Sequence, residues 1–162
     1  MKNFLNALLS GSLLALAWPT YGFPLLLFFA FVPLLYAEFK VRNSQRKLRG
    51  WRVFGLSYLS FFIWNLITTY WIYFSTPFGG AFAILVNSLL MALVFQLYHF
   101  VAGRSGFSAA SAFLVSIWMV FEKIHLTWEF SWPWLNLGNG FSEYHHWIQW
   151  YEYTGTFGGT LW

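Results

Sequence analysis

The chain has 162 residues, 59% of them hydrophobic, 25% aromatic and only 9% charged, and a formal net charge of +4. A soluble domain carries about 25% charged residues, so this composition excludes a globular fold solvated on all sides and places the chain in lipid. No Cys is present, which excludes disulfides, thiolate metal sites and a cysteine nucleophile.

The first apolar run, residues 4–18, is closed by P-T-Y-G-F-P and followed by a second, residues 23–38. Each is short against a hydrocarbon core of about 30 Å, and the prolines fall near helix ends, so the pair is predicted as two spans joined by a tight turn. Six of the nine basic residues (Lys40, Arg42, Arg46, Lys47, Arg49, Arg52) follow in one loop. Grouped between apolar runs, they read as a topology signal and not as a nucleic-acid footprint. A third span is predicted over residues 53–74, ended by S-T-P-F-G-G. The fourth, residues 81–101, is the cleanest, with only Asn87, Ser88, Gln96 and His99 as polar interruptions. Gly103-Arg104-Ser105-Gly106 turns the chain into a fifth, residues 107–124, with Glu122 and Lys123 at its outer end. With the N-terminus inside, the inner loops hold every basic residue except Lys123, the bias of the positive-inside rule.

The stretch W-E-F-S-W-P-W-L-N-L-G-N-G (128–140) is too aromatic for a solvent loop and too broken for a continuous helix. Tryptophan in such a segment belongs at a membrane–water boundary, ring in the acyl region and N–H wet. Residues 125–153 are therefore predicted as an outer aromatic loop. From Thr154 the residues turn small and apolar, like the first turns of a sixth span. Since a span takes about twenty residues, the sequence is expected to be a fragment of a longer chain. The fold class is then all-α: a polytopic bundle of about five complete spans, one domain over residues 1–162.

The acidic residues are Glu38, Glu122, Glu129, Glu143 and Glu152, with no Asp. Glu122 and Glu129 would share a helix face and could do acid–base work if the helix ran that far. The favoured reading is that the interfacial glutamates accept hydrogen bonds from backbone and tryptophan N–H groups. His145 and His146, with His125 and Glu143, offer no metal-ligand spacing worth defending, and no cofactor motif is present.

Four segments in register carry a resemblance. T-T-Y-W-I-Y-F-S-T-P-F-G-G (68–80) resembles a membrane motif of the apolipoprotein N-acyltransferase family. E-K-I-H-L-T-W-E-F-S-W-P-W-L-N-L-G (122–138) is similar to its helix-end Glu and aromatic-Pro-Trp-Leu loop. A-L-A-W-P-T-Y-G-F-P and W-I-Q-W-Y-E-Y-T-G-T-F-G-G fall in the family's order. The resemblance implies a multi-pass protein of the bacterial inner membrane, in an enzyme that moves an acyl chain from a phospholipid donor to the N-terminal cysteine of a lipoprotein acceptor. It also implies that the family's catalytic cysteine, glutamate and lysine lie in a nitrilase-like periplasmic domain after the spans. No catalytic residue is therefore carried over, and this chain alone is expected to be inactive. By matching motif, the lipid- or substrate-loop candidates are Trp71, Tyr73, Gly79, Gly80, Glu122, Trp132, Pro133, Trp134 and Gly138. Membrane lipids are the remaining expected partner. Two positions depart from the pattern: His125 stands where the family has Arg, so a Glu122–His125 contact is expected in place of an ion pair, and Asn139 follows Gly138 where Tyr is usual. The other function weighed is a non-enzymatic membrane module that anchors a partner such as a polyprenol-phosphate mannose synthase.

Overall fold

The computed structural model describes residues 1–19, 22–45 and 47–162. Thr20 and Tyr21, in the first proline break, and Arg46 of the basic loop lie outside the described residues. Among the described residues every regular element is helical.

Helix α1 covers Lys2–Leu16. A 3-10 turn, Pro24–Leu26, leads into α2 (Leu27–Ala30) and α3 (Val32–Arg42), together a 19-residue run. Helix α4 is Arg49–Thr69, α5 is the single turn Ile72–Ser75, α6 is Pro77–Ala102 and α7 is Phe107–Thr127. The remainder is two 3-10 stretches, Pro133–Leu135 and Leu137–Trp147, followed by α8 (Tyr151–Thr154) and α9 (Thr156–Leu161).

The helix bounds depart from the predicted spans for local reasons. The third predicted span is cut at Thr69, and the separate turn α5 turns Tyr70, Trp71, Tyr73 and Phe74 outward. The S-T-P-F-G-G break reduces to one extended residue, Thr76. Proline restricts the residue before it to extended conformations and suits the first position of a helix, so Pro77 starts α6 and Gly79 and Gly80 fall inside its first turn. Helix α7 runs past the expected end at 124 to Thr127 and carries His125 with it.

Three stretches among the described residues are long and apolar enough to cross a membrane: Pro24–Arg42, Pro77–Ala102 and Phe107–Thr127. That is fewer than the five expected. Helix α1 has 15 residues, about 22 Å at 1.5 Å per residue. Helix α4 has the length but begins with Arg49 and Arg52, and it carries Ser57, Ser60, Asn65, Thr68 and Thr69.

Helix α4 packs on α1 and α6, with α3 and α7 completing the bundle. Its small polar residues are the ones turned inward: Ser57, Ser60, Asn65 and Thr69 are buried. Asn87 on α6 donates to the Asn65 side-chain carbonyl at 2.7 Å. At Gly11 a side chain would strike the Ser60 carbonyl, so α1 and α4 meet backbone to backbone, as helices in lipid do through small residues. An aromatic seam joins the layers, with Phe31 edge-on to Trp118 at 5.2 Å, Phe61 at 5.4 Å from Trp118, and Trp18 on Trp64 at 5.2 Å. The outward faces are apolar instead, with Phe29, Val32, Ile67, Leu85, Leu93 and Leu97 all exposed. Exposed apolar surface on this scale marks a lipid-facing protein.

Candidate functional site

The aromatic end of the bundle is organised by Glu122. It lies one helical turn after Trp118 on α7, on the same face, and both side chains are buried. The Trp118 Nε1–H donates to Glu122 Oε1 at 3.2 Å, and the Leu137 backbone N–H donates to the same oxygen at 2.7 Å. The Thr160 hydroxyl of α9 donates to Oε2 at 2.6 Å. One carboxylate thus holds three segments: its own helix, the loop after Trp132-Pro133-Trp134, and α9. Its partners are uncharged. Lys123 points away, with its ammonium 5.9 Å from the Phe157 ring centre.

Gly138 sits beside this hub with both backbone groups engaged. Its N–H donates to Thr160 Oγ1 at 3.2 Å, and its carbonyl accepts from the Tyr151 hydroxyl at 2.9 Å. A Cβ at Gly138 would overlap the Thr156 carbonyl, and one at Gly159 would overlap the Tyr151 hydroxyl; glycine is required at both by close approach. Between α8 and α9, Gly155 takes φ +62°, a conformation that costs glycine nothing. Burial, and next the Glu122 charge, push the Tyr151 phenol up to about 12, so it is a hydrogen-bond donor at any ordinary pH.

The other candidates form a second group. Trp71 and Trp134 meet edge to face at 5.9 Å, tying the α4–α5 corner to the aromatic loop. Trp134 and Trp71 are exposed, where an indole can meet an interface. Pro133 opens the 3-10 turn, and its carbonyl accepts from the Asn139 side chain at 2.9 Å, so the departure Gly138-Asn139 fastens the loop to itself. Tyr73, Gly79 and Gly80 form the α5–α6 corner, where a Cβ on Gly80 would press on the Tyr73 backbone at 2.9 Å. Trp132 lines a cavity of about 200 Å³ between α6, α7 and the loop, with Asn87, His125 and Trp128.

Two expectations need correction. Glu122 does not pair with His125: that ring packs between Phe121 at 4.4 Å and Trp128 at 5.2 Å, and neither nitrogen has a hydrogen-bond partner. Nor do Glu122 and Glu129 make an acid–base pair, because α7 ends at Thr127 and Glu129 is exposed beyond it. The structural reading of the glutamates holds for Glu122, which accepts from a tryptophan and a backbone N–H; Glu129, Glu143 and Glu152 are exposed instead. Thr160 and Tyr151 are not among the sequence candidates, being 38 and 29 positions from Glu122, although Tyr151 lies within W-I-Q-W-Y-E-Y-T-G-T-F-G-G and Thr160 directly follows it.

Next to the hub, Trp118, Leu137 and Thr160 also line an apolar cavity of about 270 Å³, closed by Leu27, Phe31 and Phe141. That is close to the lower end of ligand-pocket volumes, about 300 Å³. Both Glu122 oxygens accept hydrogen bonds, and this end offers an apolar slot beside an ordered aromatic loop.

A family model described as the apolipoprotein N-acyltransferase N-terminal domain matches residues 10–162. An apolipoprotein N-acyltransferase of Chlorobaculum tepidum is 29% identical over 164 residues, covering 99% of this chain and 30% of the relative. The chain therefore spans less than a third of that relative's length. No solved structure matches it.

Proposed function

The chain belongs to the family of the apolipoprotein N-acyltransferase N-terminal domain, and on that premise we propose that it is the membrane-embedded N-terminal part of such an acyltransferase. The enzyme would take an acyl chain from a phospholipid and pass it to the N-terminal cysteine of a lipoprotein, in the bacterial inner membrane. The chemistry belongs to residues outside this chain, which carries no Cys, and the 162 residues by themselves are inactive. Their part is to hold the aromatic loop at the outer surface and offer lipid a path to the reaction. In this reading α1 and α4 also cross the membrane, giving five spans with the N-terminus inside. Helix α1 packs against α4, and Ser57, Ser60, Asn65 and Thr69 of α4 are buried by its neighbours. The middle of α4 therefore keeps these polar groups from lipid, while its exposed Arg49 and Arg52 lie at its first turn.

The observation that carries the reading is the fastening of the aromatic loop to α7 by Glu122, with an apolar slot beside it and Trp134 outward. The test is the double variant Trp132→Ala/Trp134→Ala in the full-length acyltransferase, assayed for acyl transfer in membranes. Transfer should fall about thirtyfold, the scale of losing two loop aromatics worth about 1 kcal/mol each, with the protein still inserted. Unchanged transfer would remove the loop from the function.

A further inference from the structure

The opposite end of the bundle holds a site of different chemistry, and it does not rest on the reading above. Here the end of α3, the start of α4 and the end of α6 converge on a cavity of about 520 Å³ lined by Arg42, Arg49, His99, Phe100 and Arg104. Three guanidinium groups come from three separate segments, and two are aimed by backbone carbonyls. Arg49 Nη1 donates to the Arg42 carbonyl at 2.8 Å, and Arg104 Nη1 donates to the Phe100 carbonyl at 2.9 Å. A guanidinium has five N–H donors, so most of each fork is left for another acceptor.

The one carboxylate at this end is Glu38, which is buried and already accepts from Arg42 Nε at 2.9 Å, with His99 Nδ1 at 2.7 Å. The four other glutamates follow position 121. The cavity therefore keeps a surplus of positive charge with no side-chain acid to neutralise it. The positive-inside bias explains basic residues in a loop. It does not explain why residues from α3, α4 and the turn after α6 gather round one hollow.

The α6 surface supplies a second observation. Leu89, Leu93, Leu97 and Phe100 are all exposed, and their spacing places them along one face of the helix. That apolar stripe ends at Phe100, in the wall of the basic cavity.

We propose that the cavity binds the headgroup phosphate of an anionic phospholipid whose acyl chains lie along the α6 stripe. Planar guanidinium forks match phosphate oxygens in pairs, and basic pockets between membrane helices take lipid headgroups in this way. The surplus charge selects a net-negative headgroup, because a zwitterionic lipid brings an ammonium that the arginines repel. Free phosphate lacks the chains and forfeits the stripe.

The test uses the intact protein in nanodiscs of equal phosphatidylglycerol and phosphatidylcholine, with annular lipid measured by mass spectrometry. The wild type should be enriched in phosphatidylglycerol. The exposed pair Arg49→Gln/Arg104→Gln should lose that enrichment, by roughly fivefold for each arginine. Lys40→Gln/Arg52→Gln removes the same charge from the same end but outside the cavity, and should keep it. A measurement without variants is added salt, which should lower the wild-type ratio. Equal loss in both variant pairs would reduce the effect to general surface charge and overturn the proposal. So would an unenriched wild type, or displacement of the lipid by inorganic phosphate, which would make the site one for the free anion.

Discussion

Glu38 and Glu122 are both buried near helix ends, 1% and 2% exposed, yet they are held by opposite kinds of partner. Glu38 meets a guanidinium four residues on and a histidine of α6, so it closes a helix pair beneath a basic cavity. Glu122 meets an indole, a backbone amide and a hydroxyl from three segments, so it orders a loop. A carboxylate facing a part-exposed guanidinium can be removed and let that cation rehydrate. A carboxylate serving neutral buried donors cannot be removed without orphaning them.

The contrast is sharpest in the charge-deleting variants. Glu122→Leu should cost about 1–3 kcal/mol for each donor left unpaired, and amide exchange across Leu137–Trp147 should rise sharply. Glu122→Gln should be mild, because its oxygen can still face Leu137 and Trp118 while the Thr160 hydroxyl accepts from its amide. Unaltered exchange at Leu137 in Glu122→Leu would break the comparison. Glu38→Leu should cost less, about 1.5–3 kcal/mol for the one His99 bond to the carboxylate that is lost without replacement, since Arg42 is part-exposed and can turn to water. A larger fall in melting temperature for Glu38→Leu than for Glu122→Leu would reverse the assignment.

Gly159→Ala tests the packing behind the loop. Its methyl would land on the Tyr151 hydroxyl and against the Gly138 Cα, and overpacking of this kind costs about 1–3 kcal/mol. Gly55→Ala, with open space around it, is the matched control and should be neutral or better in a thermal melt. Tyr151→Phe should be the smallest change, about 1 kcal/mol for one hydrogen bond. The same phenol gives a pH signature. Its folded pKa of about 12 lies above the ordinary value of 10.0, so the proton is bound more tightly in the folded state. Its contribution is therefore complete below pH 10 and is lost as pH rises through 12. Ultraviolet titration should show an ionisation near 12 that is lost in Tyr151→Phe; ionisation of that residue near 10 would contradict its buried contact.

The helices were legible because long apolar runs bounded by Pro, Gly and charge leave little choice in lipid. Their ends were less so. Gly79-Gly80 read as a break, but Pro77 starts a helix as readily as it stops one, and α6 absorbs both glycines. The nine candidates gather at the aromatic end in two groups, yet the partner that organises one of them, Thr160, was invisible. Periodicity reports which face of a helix is apolar. It does not report which backbone N–H, 15 positions away, a carboxylate will accept from. The expected Glu122–His125 contact failed for a related reason: Phe121 on the same helix and Trp128, just past its end, take the histidine ring first. Glu38 and Arg42 stand four apart on α3, a pairing distance that went unread in the sequence, and His99, 61 positions on, carries no local signal at all.

The most direct measurement is acyl transfer by the full-length acyltransferase carrying Glu122→Gln, set against Glu122→Leu. If Glu122 anchors the loop, the glutamine variant should keep transfer near wild type and the leucine variant should lose most of it. Equal loss in the two would mean that the carboxylate itself enters the chemistry, and would contradict its role as an anchor.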